Sequence, residues 1–234
     1  MRLDKFVAHA THLPRSEVRK RLKSGAVTVN DTKEKQAARQ LTFEDIVRLH
    51  GEILHLPEPR YFMLHKPQGL VCSNHDGEHP TVLDCLNEPN KEALQIAGRL
   101  DIDTTGLVLL TDDGQWNHQI TSPAHHKTKT YRLRTAEALT PDLPARFAAG
   151  IQLKDESRPC RPAQLTLLDD YTARLIISEG KYHQVKRMLA ACGNRVTELH
   201  REAIGELQLD TSLNAGQYRH LTSTEVKQLS SSNE

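Results

Sequence analysis

Residues 98–106, Gly98-Arg99-Leu100-Asp101-Ile102-Asp103-Thr104-Thr105-Gly106, gather two carboxylates and two hydroxyls between glycines, directly before the apolar run Leu107-Val108-Leu109-Leu110. A loop entering a buried strand holds a carboxylate rigidly and partly out of water, where it can serve as nucleophile or base. The same residue types also make local side-chain-to-backbone turns, and spacing alone favours that plainer use. His118, His125 and His126 have no cysteine partner nearby and fit no usual zinc ligand set. Cys72, Cys85, Cys160 and Cys192 lack C-x-x-C spacing, so reduced thiols are expected rather than metal knuckles or a disulfide framework. The chain has neither a G-x-G-x-x-G fingerprint nor a P-loop.

The elements that must position this loop read as an α+β mixture. Leu3, Phe6, Val7 and Ala10 recur at helical spacing, and a second helix over Glu17–Lys23, capped by Ser16, turns Val18 and Leu22 inward. Gly25 stops it; a strand over residues 26–29 meets the turn Asn30-Asp31, and a second strand lies at residues 46–49. Leu56-Pro57-Glu58-Pro59 marks a boundary, giving residues 1–56 as a small module, 57–60 as linker and 61–234 as a larger domain. Beyond it, strand-like runs at 61–64, 107–110, 131–133, 164–168 and 173–177 alternate irregularly with helices at 115–121 and 184–191, unlike a doubly wound parallel sheet. The tail Ser230–Glu234 is expected to fray.

Net charge is only +1, but residues 1–40 carry ten Lys/Arg against four acids, a local +6 that leaves about −5 for the remainder. Such a basic face suits a polyanion, although a cluster of this kind is more often a solvated helix surface. The start of the chain lacks an apolar signal core and no run is long enough to span a bilayer, so a cytoplasmic location without membrane contact is expected.

Two resemblances sharpen these readings. R-L-D-K-F at residues 2–6, the basic second helix and S-G-A-V-T-V-N at residues 24–30 resemble an S4 RNA-binding domain over about residues 1–56. The resemblance implies that Arg2, Lys5, Arg15, Arg19, Lys20 and Lys23 face the RNA backbone, giving affinity rather than sequence choice. G-R-L-D-I-D-T-T-G-L-V-L-L-T-D-D-G at residues 98–114 resembles the catalytic motif of the RsuA-type pseudouridine synthases. Tyr61–Gly69 with its K-P-x-G turn, Lys129-Thr130-Tyr131 and Glu179–Met188 resemble the family's other motifs, in the same order. The implied fold is a mixed, largely antiparallel sheet with flanking helices.

By this resemblance Asp101 is the catalytic aspartate, Lys186 the cation beside it, and Tyr131 the ring that packs on the target base. Asp103 is a structural neighbour. Arg99 fills the space left by an extruded nucleotide, and His183 and Gln184 reach RNA or brace the loop. Lys181 departs from the pattern, standing where arginine is common, and so loses a bidentate fork. The implied reaction is isomerisation of a uridine to pseudouridine in 16S rRNA, at uridine 516, by a monomer acting on the RNA or a partly assembled small subunit. No cofactor is required. A 23S rRNA uridine is the nearest alternative target. Asp101-x-Asp103-x-Thr105 also matches the D-x-D-x-T pattern of Mg²⁺-dependent haloacid-dehalogenase-type phosphatases, but there the apolar strand precedes the acids and here it follows them. A non-catalytic RNA-binding protein is the remaining rival.

Overall fold

The computed structural model describes residues 1–42, 44–55, 58–122 and 125–230, so Leu56, Pro57 and the tail beyond Ser230 lie outside the described residues. The chain divides into two compact units, Met1–Pro59 and Arg60–Glu234. Arg60, placed with the linker by the sequence, is fastened to the second unit through Asp112, which its backbone N–H and Nε both reach at 2.8 Å.

In the first unit, helices α1 (Leu3–Thr11) and α2 (Arg15–Lys23) bury Leu3, Val7, Val18 and Leu22 against strands β1 (Val27–Val29) and β3 (Val47–Leu49). Helix α2 starts earlier than the sequence suggests, with Pro14 rather than Ser16 at its N-cap position and no side-chain cap. Proline suits a helix entry because its missing N–H would find no helical partner there. Asn30 and Asp31 adopt positive φ, the two-residue turn that suits a hairpin, and so β2 (Thr32–Lys33) folds straight back on β1. Strand β3 pairs on the other edge of β1, and β4 (Glu52–Ile53) completes an antiparallel sheet of order β2-β1-β3-β4.

The second unit is built on β5 (Tyr61–Lys66), β6 (Gln95–Ala97), β7 (Thr105–Thr111), β8 (Lys129–Thr135), β9 (Gln164–Leu167), β10 (Thr172–Ile177), β11 (Val196–Ile204), β12 (Leu207–Gln208) and β13 (Tyr218–His220). Their sheet runs β13-β5-β7-β11-β8-β10-β9, with β6 also on β7 and β12 on β11; among the described residues only the β7–β11 strand pairing is parallel. Strands β5 and β7 are buried on both faces, which explains their unbroken apolar runs. Phe62, Leu64, Val108 and Leu110 enter the larger core with Leu143 and Phe147 of α4 (Leu143–Ala149) and Val185, Met188 and Leu189 of α5 (Gln184–Ala191). Met63, Leu107 and Leu109 face Trp116 and Ile120 of α3 (Gly114–Thr121) and Leu229 of α6 (Ser223–Ser230).

Helix α6 is held by a compact ion cluster. Arg219 donates to Glu225 at 2.8 and 2.9 Å and to Asp210 at 2.6 Å. Ser212, then Arg219, holds the Asp210 carboxyl down at about 2; Arg219, then Thr222, does the same for Glu225, also at about 2. Both lie below an unfolded carboxylate near ~4. Their stabilisation is therefore complete above that value and lost as pH falls through it toward 2. Thermal melts between pH 5 and 2 should show this loss, and Arg219→Gln should flatten it; an unchanged pH slope in the variant would refute the assignment.

Candidate active site

The loop from Gly98 to Thr104 is pinned from several directions, and the pins fix where Asp101 stands. The outer edge of β7 is shared: β11 pairs with it at Thr105–Gly106 and β6 at Leu109–Thr111. In the gap between these pairings the fully buried Arg201 donates from Nε to the Leu107 carbonyl at 2.8 Å and from Nη2 to the Gly98 carbonyl at 2.6 Å. Gly106 lets the strands meet: at φ +107° an added Cβ would lie 2.3 Å from the Arg201 carbonyl oxygen.

From the β5 side, the buried Lys66 ammonium donates to the carbonyls of Pro67 at 3.0 Å, Ile102 at 3.3 Å and Thr104 at 2.7 Å. Burial pushes its pKa down, against which the Cys72, Asp103 and Asp101 fields act. The Gly69 N–H also reaches the Ile102 carbonyl at 2.8 Å, and Leu100 N–H donates to Cys72 Sγ at 3.3 Å. Thr104 N–H closes a turn on the Asp101 carbonyl at 3.1 Å. Lys66 sits in the K-P-x-G turn and Arg201 in Val196–Ile204, but neither was assigned a role from the sequence. A charged residue at an otherwise apolar strand position was the available signal, since such residues are almost never fully buried without a partner.

The pinned loop turns Asp101 toward the start of α5. Lys186 Nζ donates to Asp101 Oδ2 at 2.9 Å and to Asp103 Oδ1 at 2.6 Å, so one cation bridges both carboxylates. Burial opposes both charges, yet the hydrogen bonds and fields between the groups prevail: Asp103 is held below the ordinary carboxylate range and Lys186 is raised above the ordinary lysine value. His183 Nε2 stands 3.5 Å from Asp101 Oδ1. A single open cavity is lined by Arg99, Asp101, Tyr131, His183, Gln184 and Lys186, among others. Its walls bring together every catalytic and substrate-binding position singled out in the sequence.

Their states differ. Tyr131 is buried on β8, paired across to Arg201. Arg99 is exposed and has no side-chain partner among the described residues. Gln184 is 5% exposed, its amide donating to Glu179 Oε1 at 2.8 Å and accepting from the Lys181 N–H at 2.8 Å. That engagement braces the turn from Glu179 to Gln184. Lys181 and Arg187 both bond Glu156, at 3.1 Å each, tying the loop around residue 156 to the same turn.

In the first unit, Arg2 and Arg15 both converge on buried Asp4, with Arg2 Nε at 3.0 Å and Arg15 Nη2 at 2.5 Å, while roughly half of each side chain remains exposed. Lys20 pairs with Glu17 at 2.7 Å. Lys5, Arg19 and Lys23 are exposed without a partner among the described residues. All four cysteines are free thiols, and no group of three His, Cys, Asp or Glu able to hold a metal occurs among the described residues.

The chain is similar to known proteins over nearly its whole length. The family model for RNA pseudouridylate synthase matches residues 60–191, and that for the S4 domain matches residues 1–47. A ribosomal small subunit pseudouridine synthase A of Haemophilus influenzae is 50% identical over 98% of this chain and 99% of its own. The protein of that name from Yersinia pestis is 52% identical over 97% of each chain. A crystal structure of a pseudouridylate synthase superposes with a TM-score of 0.73 at 49% identity, covering 98% of this chain and 99% of that one. The chain is an S4-domain member of the RNA pseudouridylate synthase family.

Proposed function

We propose that this protein isomerises a uridine of small-subunit (16S) rRNA to pseudouridine, with Asp101 as the reacting carboxylate, Lys186 as its partner cation and Tyr131 as the ring beneath the base. The observation that carries this reading is the carboxylate of Asp101, held 2.9 Å from Lys186 in the cavity that Tyr131 also lines. Target choice is supported by the full-length similarity to small-subunit enzymes, and uridine 516 is the position that the resemblance implies. In this reading the unit Met1–Pro59 docks the RNA and the unit Arg60–Glu234 catalyses.

A uridine leaves its stack before its sugar can be reached, at a cost of about a few kcal/mol. Arg99, exposed beside the cavity, is suited to occupy the vacated space. Asp101 then acts on the sugar, as nucleophile at C1′ or as base. The N1–C1′ bond breaks, the uracil turns, and C5 bonds to C1′; the C5 proton leaves and N1 gains one, so no atom or electron is lost overall. The fixed Lys186 charge and the pinned loop preorganise the carboxylate, so little rearrangement is left for the moment of reaction.

A 16S transcript incubated with the protein in excess EDTA, its folding checked independently, should acquire one pseudouridine, mapped by carbodiimide-blocked primer extension. Modification confined to a 23S transcript would redirect the target, and Mg²⁺-dependent phosphate release without modification would favour the phosphatase. Docking has its own expected signature. Neutralising Lys5, Arg19 and Lys23 to Gln should reduce the salt slope of RNA binding by about two to three, roughly 0.7–0.9 per lost phosphate contact. A slope equal to wild type would remove this face from the interface.

A further inference from the structure

The geometry points to Tyr182 as a stacking platform for an unpaired RNA base beside the target nucleotide, an inference that rests on the proposed RNA substrate but is read through binding. Tyr182 is 76% exposed, more than any other large hydrophobic residue among the described residues. It lies outside the cavity lining, immediately next to His183, which does line it. Its ring stacks on the His183 imidazole with centroids 3.8 Å apart and planes 20° from parallel. One face of the tyrosine is thereby covered, and the exposure leaves the other open to solvent.

The platform is held in place although it is not buried. The Tyr182 carbonyl accepts from Arg187 Nη1 at 3.1 Å. Arg187 is fixed in turn by Glu156 at 3.1 Å and by the Lys154 carbonyl at 2.8 Å. His183 adopts a left-handed backbone, φ +46°, which turns the chain from the exposed ring into α5. A ring already ordered loses little freedom when a partner stacks on it. Every base offers a π-face, and aromatic side chains beside cationic groups are the usual way to hold single-stranded nucleic acid. Lys154 and Arg158, whose carbonyls clip their loop to this turn, have exposed side chains with no partner among the described residues, so the loop carries two unpaired positive charges. Extruding a uridine breaks its pairing and stacking, which frees the bases around it to take a new stacking partner.

The test uses the full chain and a 16S transcript, with wild type, Tyr182→Phe, Tyr182→Leu and Tyr182→Ala compared for RNA Kd, its salt slope and Tm. Ala and Leu should weaken binding by roughly five- to 150-fold, the range for one stacked base. Their salt slope and Tm should match wild type, because stacking is not ionic and the side chain supports no core. Phe should bind within about twofold of wild type, since it retains the π-face. Binding by Ala equal to wild type, or rescue by Leu as complete as by Phe, overturns the platform. Binding without pseudouridine formation by wild type would instead defeat the proposed function while leaving the Tyr182 comparison readable.

Discussion

Replacing Asp101 with Asn is expected to lower single-turnover pseudouridine formation by about 10⁴-fold or more, the scale seen when a reacting group is removed, while RNA affinity stays within a few fold. The amide has the shape of the carboxylate and its oxygen can still accept from Lys186, so the loop should hold. What it loses is the negative charge and the basic lone pair needed at the sugar. Asp103→Asn provides the discriminating control, because both acids touch the same ammonium, at 2.9 and 2.6 Å. It should cost far less, since Lys186 keeps Asp101 as its partner. Equal losses in the two variants, with affinity and Tm unchanged, would mean that the pair acts as one unit and that Asp101 has no separate role.

Gly106→Ala should be the most damaging single methyl in the catalytic unit. Its Cβ would fall 2.3 Å from the Arg201 carbonyl oxygen and within 2.6 Å of the Arg201 nitrogen, both backbone atoms of the strand that pairs parallel with β7. At φ +107° a side chain is also strained whatever space is available. Relief requires β7 and β11 to separate. That movement would withdraw Arg201 from the Gly98 and Leu107 carbonyls and loosen the Asp101 loop. A loss above about 4 kcal/mol is expected, which for a unit of this size corresponds to at least about 8–16 °C in Tm. Residual folded protein should modify RNA poorly. A Tm within 2 °C of wild type, read by circular dichroism, would show that the strands do not meet as described.

Much of this arrangement was legible from local patterns. Helix α5 follows directly from the spacing of Val185, Met188 and Leu189, and the run Leu107–Leu110 reads as a buried strand because both of its faces are apolar. The first unit was half legible: the Asn30-Asp31 turn was visible, yet the strand it feeds is only two residues long, too short to carry a pattern. Strand β11 was missed because charged residues interrupt it, and the one fully buried among them, Arg201, occupies an inward position that alternation assigns to an apolar side chain. Its reason for being there is a carbonyl on β7 and another at Gly98, contacts 94 and 103 residues away in sequence. Lys66 is the same case, a charge whose partners are carbonyls of a distant loop. The motif thus singled out the carboxylate proposed to react, while the groups that hold it became visible only once the sheet had brought them together. For Gln184 the motif leaves open RNA contact or a brace, and only the fold shows its buried amide bonded to Glu179 and Lys181.

The most direct measurement is release of tritium from a 16S transcript labelled at uridine C5, followed under single-turnover conditions with wild type and Asp101→Asn. Wild type should release close to one equivalent per RNA, and the variant, bound to the same transcript, essentially none. Release by Asp101→Asn at the wild-type rate would contradict the assignment of this carboxylate to the chemistry.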